Sequence, residues 1–104
     1  MPHINSIPAK EITPGILGQY VHGDQTTVGL VKLEQGASIG AHQHIHEQIT
    51  FILKGQLDMI IGGQPCVLQE GMYYVIPSNT THSAVAATYC ELIDVFNPVR
   101  EEYR

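Results

Sequence analysis

His42-Gln43-His44-Ile45-His46-Glu47-Gln48-Ile49-Thr50-Phe51-Ile52-Leu53-Lys54-Gly55 is the stretch on which the fold turns. It runs from a histidine-rich segment into a short apolar run, Gln48–Lys54, rich in β-branched and aromatic residues, which is the composition of a strand. Gly55-Gln56 punctuates that run, and a second one, Leu57–Ile61, ends at Gly62-Gly63. Two glycines between apolar runs predict a tight hairpin, because the turns that match strand twist need positive φ. Further runs of the same kind extend outward: Ile16–Val21, Thr27–Leu33, Cys66–Leu68, Met72–Ile76, His82–Ala87 and Tyr89–Phe96. Gly23-Asp24, Gln35-Gly36, Glu70-Gly71 and Pro77-Ser78-Asn79 separate them. No apolar period of 3.6 residues is sustained anywhere, and only the tail offers helix chemistry, with Asn97 as a cap and Pro98 as the first residue of a turn. Eight or so strands at this spacing predict an all-β barrel or jelly-roll sandwich. No linker, repeat or low-complexity stretch divides the chain, so residues 1–104 read as one domain.

Composition removes several classes of function. Hydrophobic residues make up 43% of the chain and charged residues 14%, the reverse of a disordered protein. The five cations, Lys10, Lys32, Lys54, Arg100 and Arg104, are scattered among ten acidic residues, for a formal charge of −5. That is no basic stripe, so nucleic acid is not the expected partner. No apolar run approaches the ~20 residues of a membrane span. Met1-Pro2-His3-Ile4-Asn5 lacks the basic and apolar regions of a signal peptide, which makes the cytoplasm the expected compartment. Cys66 and Cys90 form no CxxC pair and sit in strand-like runs, where buried free thiols are expected.

Six histidines carry the chemistry. His42 and His44 are two apart and would share one face of an extended segment; His46 continues the spacing, and His82 follows Pro77–Thr81 much later. A single histidine is ordinarily a surface or hydrogen-bonded residue, the reading given to His3 and His22. Two imidazoles on one strand face are instead a geometry suited to a divalent metal.

The residues around these histidines resemble a known family. Gly36, five residues, His42-x-His44, three residues, Gln48, six residues and Gly55 resemble the first cupin motif; Gly71, five residues, Pro77 and His82 five further on resemble the second. Gln48 stands where the family most often has Glu, Asn79 where it has Gly, and Ala86 where it has Asn. Asn tolerates the left-handed conformation that Gly would supply. The resemblance implies a double-stranded β-helix, the cupin jelly-roll barrel, holding a divalent metal on His42, His44, Gln48 and His82. Strand parity puts Gln48 on the side of His42 and His44, whereas a bulge after His46 would present Glu47 instead. His46 is expected at the rim or behind the ligands. Three imidazoles and an amide oxygen leave the metal its full +2 charge, which favours an anionic ligand and strengthens Lewis acidity. Two adjacent open positions would suit a carboxylate with a neighbouring oxygen. An amide is a poor ligand for Cu(II), leaving Ni, Zn, Mn or Fe.

The last apolar run adds a second constellation. Alternation along Tyr89–Phe96 places Cys90, Leu92, Asp94 and Phe96 on one face, and Arg100 follows closely enough to close over a barrel mouth. Together with residues 42–48, the stretch from Asp94 to Glu101 resembles one cupin branch, the small uronate-linearising cupins of pectin and alginate breakdown. That resemblance implies an enzyme that opens and ketonises 4,5-unsaturated monouronates, an isomerase-type reaction on a small anionic sugar acid. Asp94 would move protons, Arg100 would hold the carboxylate and Phe96 would shape the pocket. A cupin dioxygenase with Fe(II), and a non-catalytic cupin binding a metal or small acid, are the competing readings. A homodimer is expected, paired through sheet edges, with Ile4–Pro14 as an arm across the partner.

Overall fold

A computed structural model describes residues 1–104. Ten strands form two antiparallel sheets that enclose one interior. They are β1 (Lys10–Thr13), β2 (Ile16–His22), β3 (Thr27–Leu33), β4 (Ser38–His42), β5 (Glu47–Lys54), β6 (Gln56–Ile61), β7 (Gln64–Gln69), β8 (Tyr73–Ile76), β9 (His82–Ala86) and β10 (Cys90–Asn97). One sheet has the order β1-β2-β3-β10-β5-β8, and the other β4-β9-β6-β7. This is the two-sheet cupin barrel that the motifs implied.

The turn chemistry behaves as the residues dictate. Gly62 and Gly63 both take positive φ and join β6 to β7, which pair from Gln56↔Gln69 to Ile61↔Gln64. Asn79, at the position where the family usually has Gly, also takes positive φ, 59°. Inside, period-two alternation buries Ile16, Leu33, Ile52, Leu57, Leu68, Cys90 and Leu92 into one apolar core. Cys66 and Cys90 are free thiols, Cys90 fully buried and Cys66 partly.

Three local readings change. Lys10–Thr13 and Ser38–His42 are strands that the pattern did not reveal, since each carries a single large apolar residue. The segment expected as an arm over a partner is tied down within its own chain. β1 pairs with β2, and the Gln19 amide donates to the Ile7 carbonyl at 2.9 Å and the Ile4 carbonyl at 3.3 Å. At the other end Asn97 closes β10 rather than capping a helix; the Asn97–Pro98 bond is cis, and a 3₁₀ turn begins only at Glu101.

Candidate metal centre and cavity

The end of β4, the loop that follows it and the start of β9 bring His42, His44 and His82 together. Their ring nitrogens fall within 4.8 Å of one another. His42 and His82 are opposite one another in the β4–β9 pairing, which sets their ring centroids 4.3 Å apart. Each ring is held by a short backbone contact of its own: His42 Nδ1 to the Gly40 carbonyl at 2.8 Å, His44 Nδ1 to the His46 carbonyl at 3.0 Å, and His82 Nδ1 to the Thr80 carbonyl at 2.8 Å. A carbonyl only accepts, so all three Nδ1 atoms carry the proton, and the three Nε2 lone pairs are left free. Burial drives the His44 imidazole down to about 4, reinforced by the Arg100 and His82 charges, and burial also lowers His82. Both rings are therefore neutral at pH 7, the form that ligates a metal.

Gln48 completes the group. It is buried, 7% exposed, on the cavity side of β5, while Glu47 faces solvent. The segment between His42 and Glu47 is a loop rather than a continuous strand, yet the side of Gln48 is the one parity gave. Its amide nitrogen donates to Thr50 Oγ1 at 3.0 Å and to Asp94 Oδ1 at 3.2 Å, which turns its oxygen toward the imidazoles. Gln48 Oε1 lies 3.2 Å from His44 Nε2, an approach of two acceptors. His82 Nε2 is buried with no hydrogen-bond partner. Unpartnered acceptors converging on one point are costly unless a cation shares them, and this donor set fits a divalent ion.

Asp94 lies opposite Thr50 in the β10–β5 pairing, and the Thr50 hydroxyl donates to its carboxylate at 2.7 Å. Burial pushes the Asp94 carboxyl up to about 6, against the opposing pull of Thr50, Gln48 and Arg100. A carboxyl near neutrality in a cavity is suited to accepting and returning a proton. Arg100 is 8% exposed, and its guanidinium lies 4.7 Å from the centre of the Phe96 ring and 4.5 Å from that of the Tyr103 ring, in the angle between two rings whose centroids are 6.1 Å apart, with Nε paired to Glu102. His42, Gln48, Thr50, His82, Asp94, Phe96, Arg100 and Tyr103 line one cavity, together with Leu33, Leu57, Met59 and Leu92.

Of the side chains singled out in the sequence, His42, Gln48, His82, Asp94, Phe96 and Arg100 border this space, His44 joins it through the histidine cluster, and Glu47 faces solvent. His46 is buried behind the cluster, its Nε2 3.2 Å from the Val99 carbonyl. Thr50 and Tyr103 were not foreseen. Thr50 stands two residues from Gln48 on the same strand face, a signal that alternation carried. Tyr103 reaches the cavity through a tail contact that no local pattern encodes. Its ring stacks on Tyr20 at 4.3 Å, and Tyr20 lies flat because Gly18 and Gly29 have no Cβ; one built there would meet its ring at 2.5 and 2.6 Å.

Fold and site together define the class: residues 29–96 match the family model for the cupin domain, and the chain belongs to that family. Among individual relatives it is similar to the pectin degradation protein KdgF of Dickeya dadantii, 29% identical over 99 residues, covering 92% of this chain and 90% of that one. It also resembles the solved structure of KdgF from Halomonas sp., with a TM-score of 0.90, 29% identity, and coverage of 96% and 94% of the two chains. An RmlC-like cupin from Shewanella frigidimarina superposes with a TM-score of 0.93 at 25% identity, over 100% and 95%.

Proposed function

We propose that this cupin is a metal-dependent enzyme that linearises 4,5-unsaturated monouronates, as implied by its likeness to two proteins named for pectin degradation or as KdgF. The observation that supports the reading is the hydrogen-bonded group of Asp94, Thr50 and Gln48, which aims the Gln48 oxygen at the histidine cluster, with Arg100 bordering the same cavity. His42, His44, His82 and Gln48 would hold the ion, one of Ni, Zn, Mn or Fe. When bound, it supplies Lewis acidity to a substrate carboxylate and the oxygen beside it.

The chain's own residues account for the remaining steps. Arg100 receives the substrate carboxylate; its Nε is occupied by Glu102, so the terminal nitrogens are the ones available for a bidentate contact. The Phe96 and Tyr103 rings both pack against the guanidinium and dry the pocket. Asp94 takes the anomeric hydroxyl proton. The bond from that carbon to the ring oxygen then breaks, giving an aldehyde and an enolate. Asp94 returns the proton to the enol carbon, and the former ring oxygen becomes the ketone of a 2-keto acid. No atom is gained or lost, so the reaction is an isomerisation. Because the uncatalysed rearrangement also occurs, each ~1.4 kcal/mol removed from the barrier shows directly as a tenfold rate gain.

The test is disappearance of the enol-ether ultraviolet absorbance of an unsaturated monouronate. The reading requires a rate proportional to the concentration of metal-loaded protein and no uptake of oxygen. A rate equal to the spontaneous one overturns it, and oxygen consumption would move the protein to the dioxygenase class.

We also propose that two copies pair through the outer face of the six-stranded sheet rather than through its edges. Phe51, Leu53, Tyr73, Val75 and Val21 are exposed there, around half-buried Leu30, Ile49, Ile93 and Val95. Lys32 and Lys54 on one hand, and Glu47 and Glu91 on the other, place both charge signs at its margin, which suits a self-complementary contact. Five strands at ~4.8 Å spacing give an apolar face of several hundred Å², approaching the ~800 Å² per partner of a stable dimer. Light scattering at micromolar concentration should give twice the chain mass, falling to one chain mass in Phe51→Glu. A monomeric wild type contradicts the pairing.

A further inference from the structure

Arg100 lies beyond the sheet. β10 ends at Asn97, so Pro98–Tyr103 is a strap without ladder hydrogen bonds, and yet its Arg100 side chain is buried. Its anchors are on β2 and β3 of the six-stranded sheet, whereas His42 and His82 are on β4 and β9 of the other. His22 and Thr27 face one another across the β2–β3 pairing. The Arg100 backbone N–H donates to Thr27 Oγ1 at 2.9 Å, Thr27 Oγ1 lies 2.9 Å from His22 Nδ1, and His22 Nε2 lies 3.1 Å from the Tyr103 carbonyl.

With the His22 ring uncharged, these partners assign every proton. The Tyr103 carbonyl can only accept, so His22 carries its proton on Nε2. An uncharged ring then offers Nδ1 as an acceptor, and the Thr27 hydroxyl donates to it while receiving the Arg100 N–H. The result is one directed chain, from Arg100 N–H through Thr27 O–H and His22 N–H to the Tyr103 carbonyl, that starts and ends on the strap three residues apart. Thr27 is fully buried, so its hydroxyl has no water to substitute for these partners. Lys10 Nζ donates to the same Tyr103 carbonyl at 2.8 Å, and the Tyr103 ring rests on Tyr20.

We propose that His22 and Thr27 are positioning residues that clamp the Arg100–Tyr103 turn over the cavity and so fix the guanidinium for a carboxylate ligand. This rests on the reading of Arg100 as the carboxylate partner. It gives His22, distant in sequence from every metal-ligand candidate, a role in ligand binding. A guanidinium held before the ligand arrives binds more tightly than one that must be ordered on arrival.

The test uses the full metal-loaded chain with Thr27→Val, which keeps the shape and loses the hydroxyl, Thr27→Ser, which keeps the hydroxyl, and His22→Leu. Two readouts are taken: amide hydrogen exchange at Arg100, and the dissociation constant for D-galacturonate, a stable sugar carboxylate that needs no turnover. Thr27→Val and His22→Leu should speed exchange at Arg100 at least tenfold, with the Leu92 amide in β10 unchanged, and weaken galacturonate about tenfold; Thr27→Ser should restore both. Unchanged exchange at Arg100 overturns the clamp. Faster exchange with unchanged galacturonate affinity, or a wild type that does not bind galacturonate, overturns its role in positioning. Because neither readout involves the ring-opening reaction, a wild type that clamps and binds but does not turn over unsaturated uronates would refute the proposed activity and leave the clamp standing.

Discussion

β5 and β10 each run through both ends of the barrel, and their two ends differ. At one end the inward positions are Ile52, Cys90 and Leu92, all 4% exposed or less. Two and four residues further along the same faces they are Thr50 with Asp94 and Gln48 with Phe96. The same alternation of faces runs through both ends, with one irregularity in the β10–β5 register between Glu91 and Leu92; what changes is the side chains. The apolar end is held together by burial, at roughly 25 cal/mol for each Å² removed from water. The polar end is tolerable because its groups satisfy one another across the strand pairing: Asp94 sits opposite Thr50, Phe96 opposite Gln48, and the Gln48 amide bridges both neighbours. A regular scaffold with a stable end can therefore carry a group of acceptors with no partner inside the chain at the other.

If the two ends divide stability from chemistry, substitutions should divide too. Ile52→Ala opens a cavity in the closed end and should cost about 2–5 kcal/mol in chemical denaturation, with kinetic constants per folded molecule unchanged. A loss of activity larger than the loss of folded protein would show that the ends are coupled. Asp94→Asn is the converse: it keeps the shape and cannot carry a proton, so kcat should fall by about 10²-fold or more while metal content and the unfolding midpoint remain close to wild type. Arg100→Ala should both raise KM and lower kcat, and Phe96→Ala should affect turnover less, because it removes packing rather than charge.

Smaller effects sharpen the division. Gln48→Glu should retain one ion per chain in elemental analysis and weaken galacturonate about tenfold, the equivalent of ~1.4 kcal/mol, because the added carboxylate lowers the net charge facing the anion. The His42→Ala, His44→Ala double variant should lose the ion altogether. The smallest effect concerns the thiols. Burial pushes the Cys90 thiol up, so less thiolate is present at any given pH, and the folded protein at pH 8 should react with a thiol reagent at Cys66 alone. Two rapidly labelled thiols per chain would show that the apolar end is not closed.

Much of this division was legible in the sequence. Strand parity along Tyr89–Phe96 put Cys90, Leu92, Asp94 and Phe96 on one face, and parity chose the side of Gln48 over that of Glu47 although a loop intervenes. Gly62-Gly63 marked its hairpin because the backbone needs positive φ there. What was hidden depends on contacts between distant residues. β1 and β4 are short and nearly lack an apolar period, so only their partners β2 and β9 make them strands. Tyr103 and His22 acquire their places when the tail crosses the mouth, 81 residues from one to the other in sequence, and no periodicity encodes such a crossing.

The most direct measurement is the face on which the new C–H bond forms. Unsaturated monouronate converted in heavy water takes up one deuterium at the enol carbon, and proton NMR of the resulting methylene distinguishes its two faces. If Asp94, fixed by Thr50 and Gln48 on one side of the cavity, returns the proton, the wild-type product carries deuterium on a single face, and the Asp94→Asn product carries the mixture of the uncatalysed reaction. A wild-type product with that same uncatalysed mixture would contradict the account.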